Sequence, residues 1–235
     1  MKPTITIGIP CYNQGQYLAH AIESCLDQTV KPHEIIVCND GSTDETQLVA
    51  DAYRGQGVRV ISQVNKGLAS ARNSLIMNAG GTFFLPLDSD DMLLENCLEK
   101  ITRKIEETNA DIIGLSFKCF GAGGGEVILM EHPTLADFKV GNRLAYCSAI
   151  RRSVLLECGG YNPRMDNVFR DAAGNLKGGW EDLALWFDLL SRGKTIVIVK
   201  EPVFLYRLKE QSMITESNAH AEELTAQLKK NFPFL

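Results

Sequence analysis

The sequence has no long apolar run and no cluster of basic residues. Each absence argues against one class of protein, the membrane-spanning and the nucleic-acid-binding proteins respectively. No apolar stretch approaches the roughly 18 residues that a membrane-spanning helix needs, and no secretory signal pattern precedes the first predicted strand. The net charge of −5 comes with scattered Lys and Arg residues, which predicts no nucleic-acid partner. We therefore expect a soluble, cytoplasmic protein, or one that contacts the inner face of the membrane peripherally.

Paired cysteine motifs, internal repeats, interdomain linkers and low-complexity segments are also missing. The seven cysteines make an odd number without a C-x-x-C pair, and several lie in apolar stretches, which predicts reduced, structural thiols. The chain has 235 residues, of which 45% are hydrophobic. This length and composition predict that residues 1–235 form a single domain with one folded core.

What the sequence does contain is an alternation of short β-branched runs with helical stretches. Strands are predicted at Thr4–Ile9, Glu34–Cys38, Val58–Ser62 and Phe83–Leu87, and helices at Gln16–Asp27, Thr43–Tyr53 and Leu68–Asn78. This alternation predicts βαβ units in an α/β fold with a mainly parallel central sheet flanked by helices.

The second half of the chain has a looser pattern, which we interpret as a smaller, antiparallel and loop-rich portion. It contains a helix at Leu94–Thr108, a strand at Asp111–Cys119, a Gly-rich loop at 170–179 and helices at Glu181–Arg192 and about Glu216–Lys230. The final NFPFL at 231–235 is predicted to pack on the body of the protein, because the basic content is too low for lipid binding.

Polar residues follow each predicted parallel strand. They are PCYN at 10–13, NDGSTD at 39–44, NKG at 65–67 and DSDD at 88–91. Because ligands of such sheets bind beyond the carboxyl ends of the strands, the four segments are expected to converge on one crevice.

The segment DSDD places three carboxylates directly after a buried strand. On an extended segment the side chains of Asp88 and Asp90 would point into one space, and two carboxylates suit Mg²⁺ or Mn²⁺. The alternative is that Asp90 or Asp91 only caps a helix that begins near Met92. Capping explains one aspartate and not three.

Three residues of the neighbouring segments are further candidates. Asp40 is left over after Ser42-x-x-Glu45 is interpreted as a capping box; it could bind a nucleobase or ribose, or form an Asx-turn. Lys66 and Arg72 could face the crevice from a helix and neutralise a diphosphate, or be solvated surface charges.

The segment GGWEDLALWFDLLSRG at 178–193 places Glu181 and Asp182 in the first turn of an amphipathic helix. Acidic residues there favour the helix dipole, which accounts for one of the pair. A carboxylate beside a flexible loop and facing the crevice could also serve as a general base. Local sequence leaves both interpretations open.

Five segments taken together resemble the family 2 glycosyltransferases of the GT-A fold. They are ITIGIPCYNQGQYLAHAIESCLDQTVKPHEIIVCNDGSTDET, NKGLASARN, LPLDSDD, GGYNPRM and GGWEDLALWFDLLSRG. The resemblance implies a Rossmann-like fold in which about 1–92 bind the nucleotide sugar and about 93–235 the acceptor. It also implies an inverting, Mn²⁺- or Mg²⁺-dependent transferase that uses a UDP-sugar and a glycan or lipid-linked saccharide acceptor.

The resemblance also implies roles for single residues. Asp182 matches the catalytic base, and Asp88 and Asp90 match the metal-binding D-x-D element. Nucleotide-sugar binding is assigned to Pro10, Tyr12, Asp40, Lys66, Arg72, Asp88 and Glu181.

One position departs from the family pattern. Many relatives have a histidine metal ligand two residues after the arginine of FLYR at 204–207, whereas this chain has Lys209, which could pair directly with the diphosphate. A catalytically silent binding module and a nucleotidyltransferase are the alternative functions. Asp182 beside the D-x-D element disfavours the first, and the lack of a basic, Gly-rich loop after the first strand disfavours the second.

Overall fold

The computed structural model describes residues 2–170, 176–209 and 219–233. The first half contains β1 (Ile5–Cys11), α1 (Gly15–Leu26), β2 (Glu34–Asn39), α2 (Thr46–Ala52), β3 (Val58–Ser62), α3 (Leu68–Asn78), β4 (Phe83–Pro86) and β5 (Met92–Leu93). It continues with α4 (Cys97–Thr108), β6 (Ile112–Gly121), β7 (Gly125–Val127), α5 (Leu135–Phe138), β8 (Ala149–Arg151) and α6 (Arg152–Cys158). The last elements are β9 (Phe169–Arg170), β10 (Leu176–Lys177), α7 (Glu181–Ser191), β11 (Ile196–Leu208) and α8 (Ala221–Asn231).

A single sheet contains nine of the described strands, in the order β3-β2-β1-β4-β8-β6-β11-β5, with β7 paired to β6. Strands β1 to β4 are parallel neighbours, and β6 is parallel to β11. Antiparallel pairing is confined to the short strands β5, β7 and β8 and to the separate β9-β10 ribbon. The predicted mainly parallel α/β sheet is confirmed, and the antiparallel share of the second half consists only of these short strands.

Alternating side chains on the buried strands give the sheet two apolar faces. In β2, Ile35 and Val37 pack in the same cluster as α1 and α4, whereas Ile36 and Cys38 pack with α3, α6 and α7. Successive side chains of a strand point to opposite faces, so a continuous apolar run is needed where helices cover both. The helices therefore lie on both faces, and the carboxyl ends of the strands stay open.

The sheet curls at this open end. Strand β4 lies in the middle of the sheet and β5 at its edge, yet only segment 87–91 links them along the chain. Four strand spacings of about 4.8 Å separate these positions in a flat sheet, and segment 87–91 would span them only if fully extended. A hydrogen bond from Asp91 to Asp88 instead folds this segment into a turn. The curl brings the C-terminal part of β11 next to the turn after β4.

Two local predictions were wrong. The Ser42-x-x-Glu45 capping box does not form: α2 begins at Thr46, whose backbone N–H donates to the Asp44 carboxylate at 3.1 Å. No helix begins near Met92, because Met92–Leu93 is a strand and α4 begins at Cys97 after Asn96. Helix capping therefore does not explain Asp90 or Asp91.

Some predicted segments are only partly covered by the structure. Residues 171–175 of the predicted Gly-rich loop, residues 216–218 of the last predicted helix and residues 234–235 of NFPFL lie outside the described residues. Phe232 packs against Phe187 of α7, with 5.9 Å between ring centroids, which agrees with packing on the body.

Two further properties concern the whole described chain. All seven cysteines are free, and burial raises the pKa of Cys25 to about 12. Across residues 2–170, 176–209 and 219–233, the helices are too short or too polar to cross a membrane.

Candidate functional site

A cavity of about 1510 Å³ opens at the carboxyl ends of β1, β2 and β4. The predicted site residues that line it are Pro10, Tyr12, Asp40, Arg72, Asp88, Asp90, Glu181 and Asp182. Lys66 is the exception: its exposed side chain lies outside the cavity lining, and it precedes α3 instead of lying on that helix. All the predicted site residues except Lys66 therefore line one cavity, as the positions of the strand ends predicted.

Arg72 of α3 is the buried centre of the cavity floor. Its guanidinium, which is fully buried, pairs with Asp88 at 2.7 Å and with Glu181 at 2.5 Å. It also lies over the rings of Tyr146 and Tyr161, at 5.1 and 5.2 Å from their centroids. Burial acts to lower the pKa of Arg72, but the two carboxylates raise it above its ordinary value. Arg72 therefore links Asp88, which follows β4, to Glu181 of α7 through one permanent charge.

The Asp88–Asp91 segment is a turn and not the extended segment that we predicted. The Asp91 backbone N–H donates to the Asp88 carbonyl oxygen at 3.0 Å. The buried Asp91 carboxylate accepts from the Tyr146 hydroxyl at 2.5 Å and from the Arg207 backbone N–H at 2.7 Å. Burial, with the charges of Asp88 and Asp90, raises the pKa of Asp91 to about 8. Both oxygens of the Asp91 carboxylate therefore have protein partners, and the bond to Arg207 fixes the turn to β11.

Asp90 is bound by two cations at the end of β11. Its Oδ2 lies 2.6 Å from Lys209 Nζ, and its carbonyl oxygen accepts from Arg207 Nε at 2.8 Å. The Arg207 guanidinium lies over the rings of Tyr17 and Phe120, at 4.6 and 4.3 Å from their centroids. The crowded carboxylates noted in the sequence are therefore separated by three different cationic or hydroxyl partners.

The surroundings of Asp88 and Asp90 do not fit the divalent-ion site that the sequence predicted there. Both carboxylates already have cationic partners, and each would have to accept a dication beside an existing positive charge. In the described part of the chain, no group of three or more His, Cys, Asp or Glu side chains is arranged to bind a metal ion.

Asp40 organises the loop between β3 and α3. Its carboxylate accepts from Gln63 Nε2 at 2.7 Å and from the backbone N–H groups of Lys66 and Gly67, both at 3.0 Å. Gly67 has a φ of 92°, which a side chain would strain. Asp40 is 3% exposed and makes these long-range bonds instead of the Asx-turn that was its alternative. Lys66 therefore contributes its backbone, and not its charge, to this wall.

Asp182 lies in the first turn of α7 and lines the cavity. Its carboxylate accepts from Asn142 Nδ2 at 2.8 Å and from the Leu183 backbone N–H at 2.7 Å. Burial inside the cavity, together with the negative charge of Glu181, raises the pKa of Asp182 to about 7. A carboxylate with such a pKa is a suitable proton acceptor near neutral pH. Glu181, the other acidic residue of the turn, is committed to Arg72.

Three residues of the site were not identified from the sequence as site residues. Tyr146 binds Asp88 and Asp91, Arg207 binds the turn, and Asn142 binds Asp182. Tyr146 and Asn142 lie in a region without a recognisable motif. Arg207 could have been noticed because it ends the FLYR segment, but its contact with Asp90 depends on the curl of the sheet.

Comparisons with known proteins agree on one family. A family model described as glycosyl transferase family 2 matches residues 6–165. Glycosyltransferase GlyG of Streptococcus pneumoniae is 40% identical over 116 residues, which are 48% of this chain and 38% of that protein. Chondroitin synthase of Escherichia coli is 38% identical over 109 residues, which are 44% of this chain and 16% of that protein.

A similar fold occurs in solved structures. S. aureus TarS 1-349 in complex with UDP-GlcNAc has a TM-score of 0.73 and 20% identity, and the match covers 90% of this chain and 60% of that one. The same protein in complex with UDP has a TM-score of 0.70 and 18% identity, and that match covers 94% of this chain and 65% of the other. This likeness confirms the predicted GT-A fold. Each of these relatives extends well beyond the part that the chain matches.

Proposed function

Because the chain belongs to glycosyl transferase family 2, we propose that it transfers a sugar from a nucleotide-diphosphate sugar to a hydroxyl group of an acceptor. The donor we propose is a UDP-sugar, and the acceptor is a glycan or a lipid-linked saccharide. The observation that carries the proposal is the position of Asp182, whose raised pKa suits a base, in the same cavity as Asp40 and the Asp88–Asp91 turn. A cytoplasmic location with peripheral membrane contact stays a prediction.

The proposed reaction is a direct displacement. Asp182 accepts the proton of the acceptor hydroxyl while that oxygen forms a bond to the anomeric carbon of the donor sugar. The bond from that carbon to the diphosphate oxygen breaks, its electron pair leaves on the diphosphate, and the configuration inverts. Fixed charges that stabilise the departing diphosphate contribute more than proton transfer in most such reactions. Cationic side chains that line the cavity are the groups available for this role.

Donor binding is assigned to the β1 and β2 ends of the cavity. Pro10 and the 49% exposed Tyr12 line the cavity at the end of β1, and Asp40 lines it directly after β2. We assign these three residues to the nucleoside, because an exposed aromatic ring and a fixed carboxylate suit a base and its imide or ribose. That TarS has been crystallised with UDP and UDP-GlcNAc supports a uridine nucleotide.

Two other functions remain as alternatives. A silent nucleotide-sugar-binding module would not need a base with a raised pKa, and a nucleotidyltransferase would need basic groups after β1, where PCYNQGQ has none. A panel of nucleotide sugars, tested beside nucleoside triphosphates mixed with sugar phosphates, separates all three. Release of free sugar and nucleoside diphosphate would indicate a glycosyltransferase. Binding of a nucleotide sugar without hydrolysis would indicate a silent module. Release of pyrophosphate from a nucleoside triphosphate and a sugar phosphate would indicate a nucleotidyltransferase.

UDP should raise the unfolding temperature of the protein. A ligand at 100 times its dissociation constant stabilises the folded state by about 2.7 kcal/mol, because it binds only that state. Thermal unfolding with UDP, GDP and CDP, each with and without Mn²⁺, measures the effect. A shift with GDP or CDP and none with UDP would contradict the uridine assignment.

The rate of donor hydrolysis should rise with pH up to about neutrality. Asp182 acts as a base only when it is deprotonated, so a pKa of about 7 reduces the rate about tenfold for each pH unit well below it. Because the hydrogen bond from Asn142 lowers the pKa of Asp182, Asn142→Ala should move this acidic limb to higher pH. A pH profile that is the same in Asn142→Ala as in the wild type would point to a different base.

A further inference from the structure

Lys209 is the cation that binds the second carboxylate of the Asp88–Asp91 turn. It follows β11 directly, lines the cavity, and places Nζ 2.6 Å from Asp90 Oδ2 and 4.7 Å from the centroid of the Tyr17 ring. Its side chain is 25% exposed and that of Asp90 is 17% exposed. The ammonium group therefore has one fixed carboxylate partner and also borders the space in which a ligand would bind.

The Lys209 ammonium group occupies the carboxylate oxygen of Asp90 that a divalent ion would bind. A Mg²⁺ ion bonds to a carboxylate oxygen at about 2.1 Å, so an ion on Asp90 Oδ2 would lie less than about 5 Å from Lys209 Nζ. Two cations that close repel each other, and the lysine would have to leave the pair before the metal could enter. Asp88 offers no easier site, because Arg72 already occupies one of its oxygens.

The diphosphate of the donor requires positive charge at this end of the cavity. Arg72 is neutralised by Asp88 and Glu181, and the Arg207 guanidinium lies over the rings of Tyr17 and Phe120. Lys209 has a compact ammonium group with three donors, of which the single carboxylate oxygen of Asp90 uses one. A lysine ammonium is a common partner of phosphate oxygens.

We propose that Lys209 takes the place of a divalent ion in this site: positioned by Asp90, it binds the donor diphosphate directly and stabilises its charge on departure. Asp90 is then a positioning residue for Lys209 and not a metal ligand. The inference rests on the proposed function, since it requires a nucleotide diphosphate in the cavity. It makes the protein independent of divalent ions for donor binding.

The test measures UDP affinity by titration calorimetry in EDTA and again in Mn²⁺. The wild-type protein should bind UDP in EDTA, and Mn²⁺ should change the dissociation constant little. Lys209→Met should weaken UDP binding in EDTA by about 10- to 100-fold, the usual value of a charge-assisted hydrogen bond, and Lys209→Arg should retain most of it. In Lys209→Met the released Asp90 carboxylate should allow Mn²⁺ to restore part of the lost affinity.

Lys200→Met is the matched control. Lys200 is on β11, the strand that Lys209 follows, and pairs with Glu131 at 2.6 Å, but it does not line the cavity. Its removal should leave UDP binding unchanged, and circular dichroism should show all three variants folded. Wild-type protein that binds UDP only in Mn²⁺ would overturn the role of Lys209 and leave the proposed function standing. Absence of UDP binding in both conditions would instead refute the proposed donor.

Discussion

Asp182→Asn should lower turnover by about 10²- to 10⁴-fold, the usual contribution of a general base, and leave UDP affinity nearly unchanged. The side chain lies at the start of α7, bound by Asn142, while the proposed nucleoside residues lie at the β1 and β2 ends of the cavity. Asparagine has almost the same shape and can keep the bond with Asn142, but it cannot accept the proton. Slow hydrolysis of the donor, with water in place of the acceptor, measures the loss.

Asp188→Asn is the matched control for this variant. Asp188 is on the same helix and pairs with the partly exposed Arg192 at 2.9 Å, outside the cavity lining. Its neutralisation should cost less than about 1 kcal/mol of stability and leave turnover unchanged. Equal losses of turnover in both variants would indicate a disturbed helix, and full turnover in Asp182→Asn would exclude it as the base. Glu181→Gln is less suitable as a control, because Glu181 is half of a buried ion pair.

Arg72→Met should reduce the free energy of unfolding by about 3–5 kcal/mol, the usual cost of removing one partner of a buried ion pair. Methionine fills much of the same volume, but it leaves the carboxylates of Asp88 and Glu181 close together without their shared cation. The side chain of Glu181 is 8% exposed and that of Asp88 is 27% exposed, so water compensates for little of the loss. Urea denaturation at pH 7 measures the difference.

Arg54→Met is the control for Arg72. Arg54 pairs with Asp51 at 2.6 Å on the surface, where the two side chains are 51% and 43% exposed. Exposed pairs contribute at most about 1 kcal/mol, so this variant should unfold almost like the wild type. The double variant Arg72→Met, Glu181→Gln should lose less than the sum of the two single losses, because it removes both charges. Equal stability of Arg72→Met and Arg54→Met would contradict the buried ion-pair network.

The sequence predicted the elements that depend on local pattern. Strand β3 (Val58–Ser62) and helix α3 (Leu68–Asn78) have the predicted bounds, because apolar period and turn residues mark them locally. The meeting of Asp40, Asp88 and Asp182 in one cavity was also predicted, in the first two cases from parallel strand ends and in the third from a family motif.

The parts that could not be predicted are those fixed by distant partners. Ser42 accepts from the Asn13 backbone N–H instead of capping α2, because the loops after β1 and β2 bind each other. The turn at Asp90 is shaped by Arg207 and Lys209, more than 100 residues later in the chain. A helix cap, an extended D-x-D and an ion-paired turn all have the same local sequence, so only the curl of the sheet decides among them.

The insertion of β11 between β6 and β5 has a consequence for the order of folding. Asp91 at the end of the first half is bound by the Arg207 backbone N–H, and β5 pairs only with β11 among the described strands. During synthesis, the first parallel strands can assemble around α1 and α3 long before residues 204–208 leave the ribosome. The turn at residues 88–91, which lines the cavity, then depends on a contact of very large sequence separation, whose loop-closure entropy makes its formation slow. A nascent chain therefore acquires its core early and completes the lining of its cavity last.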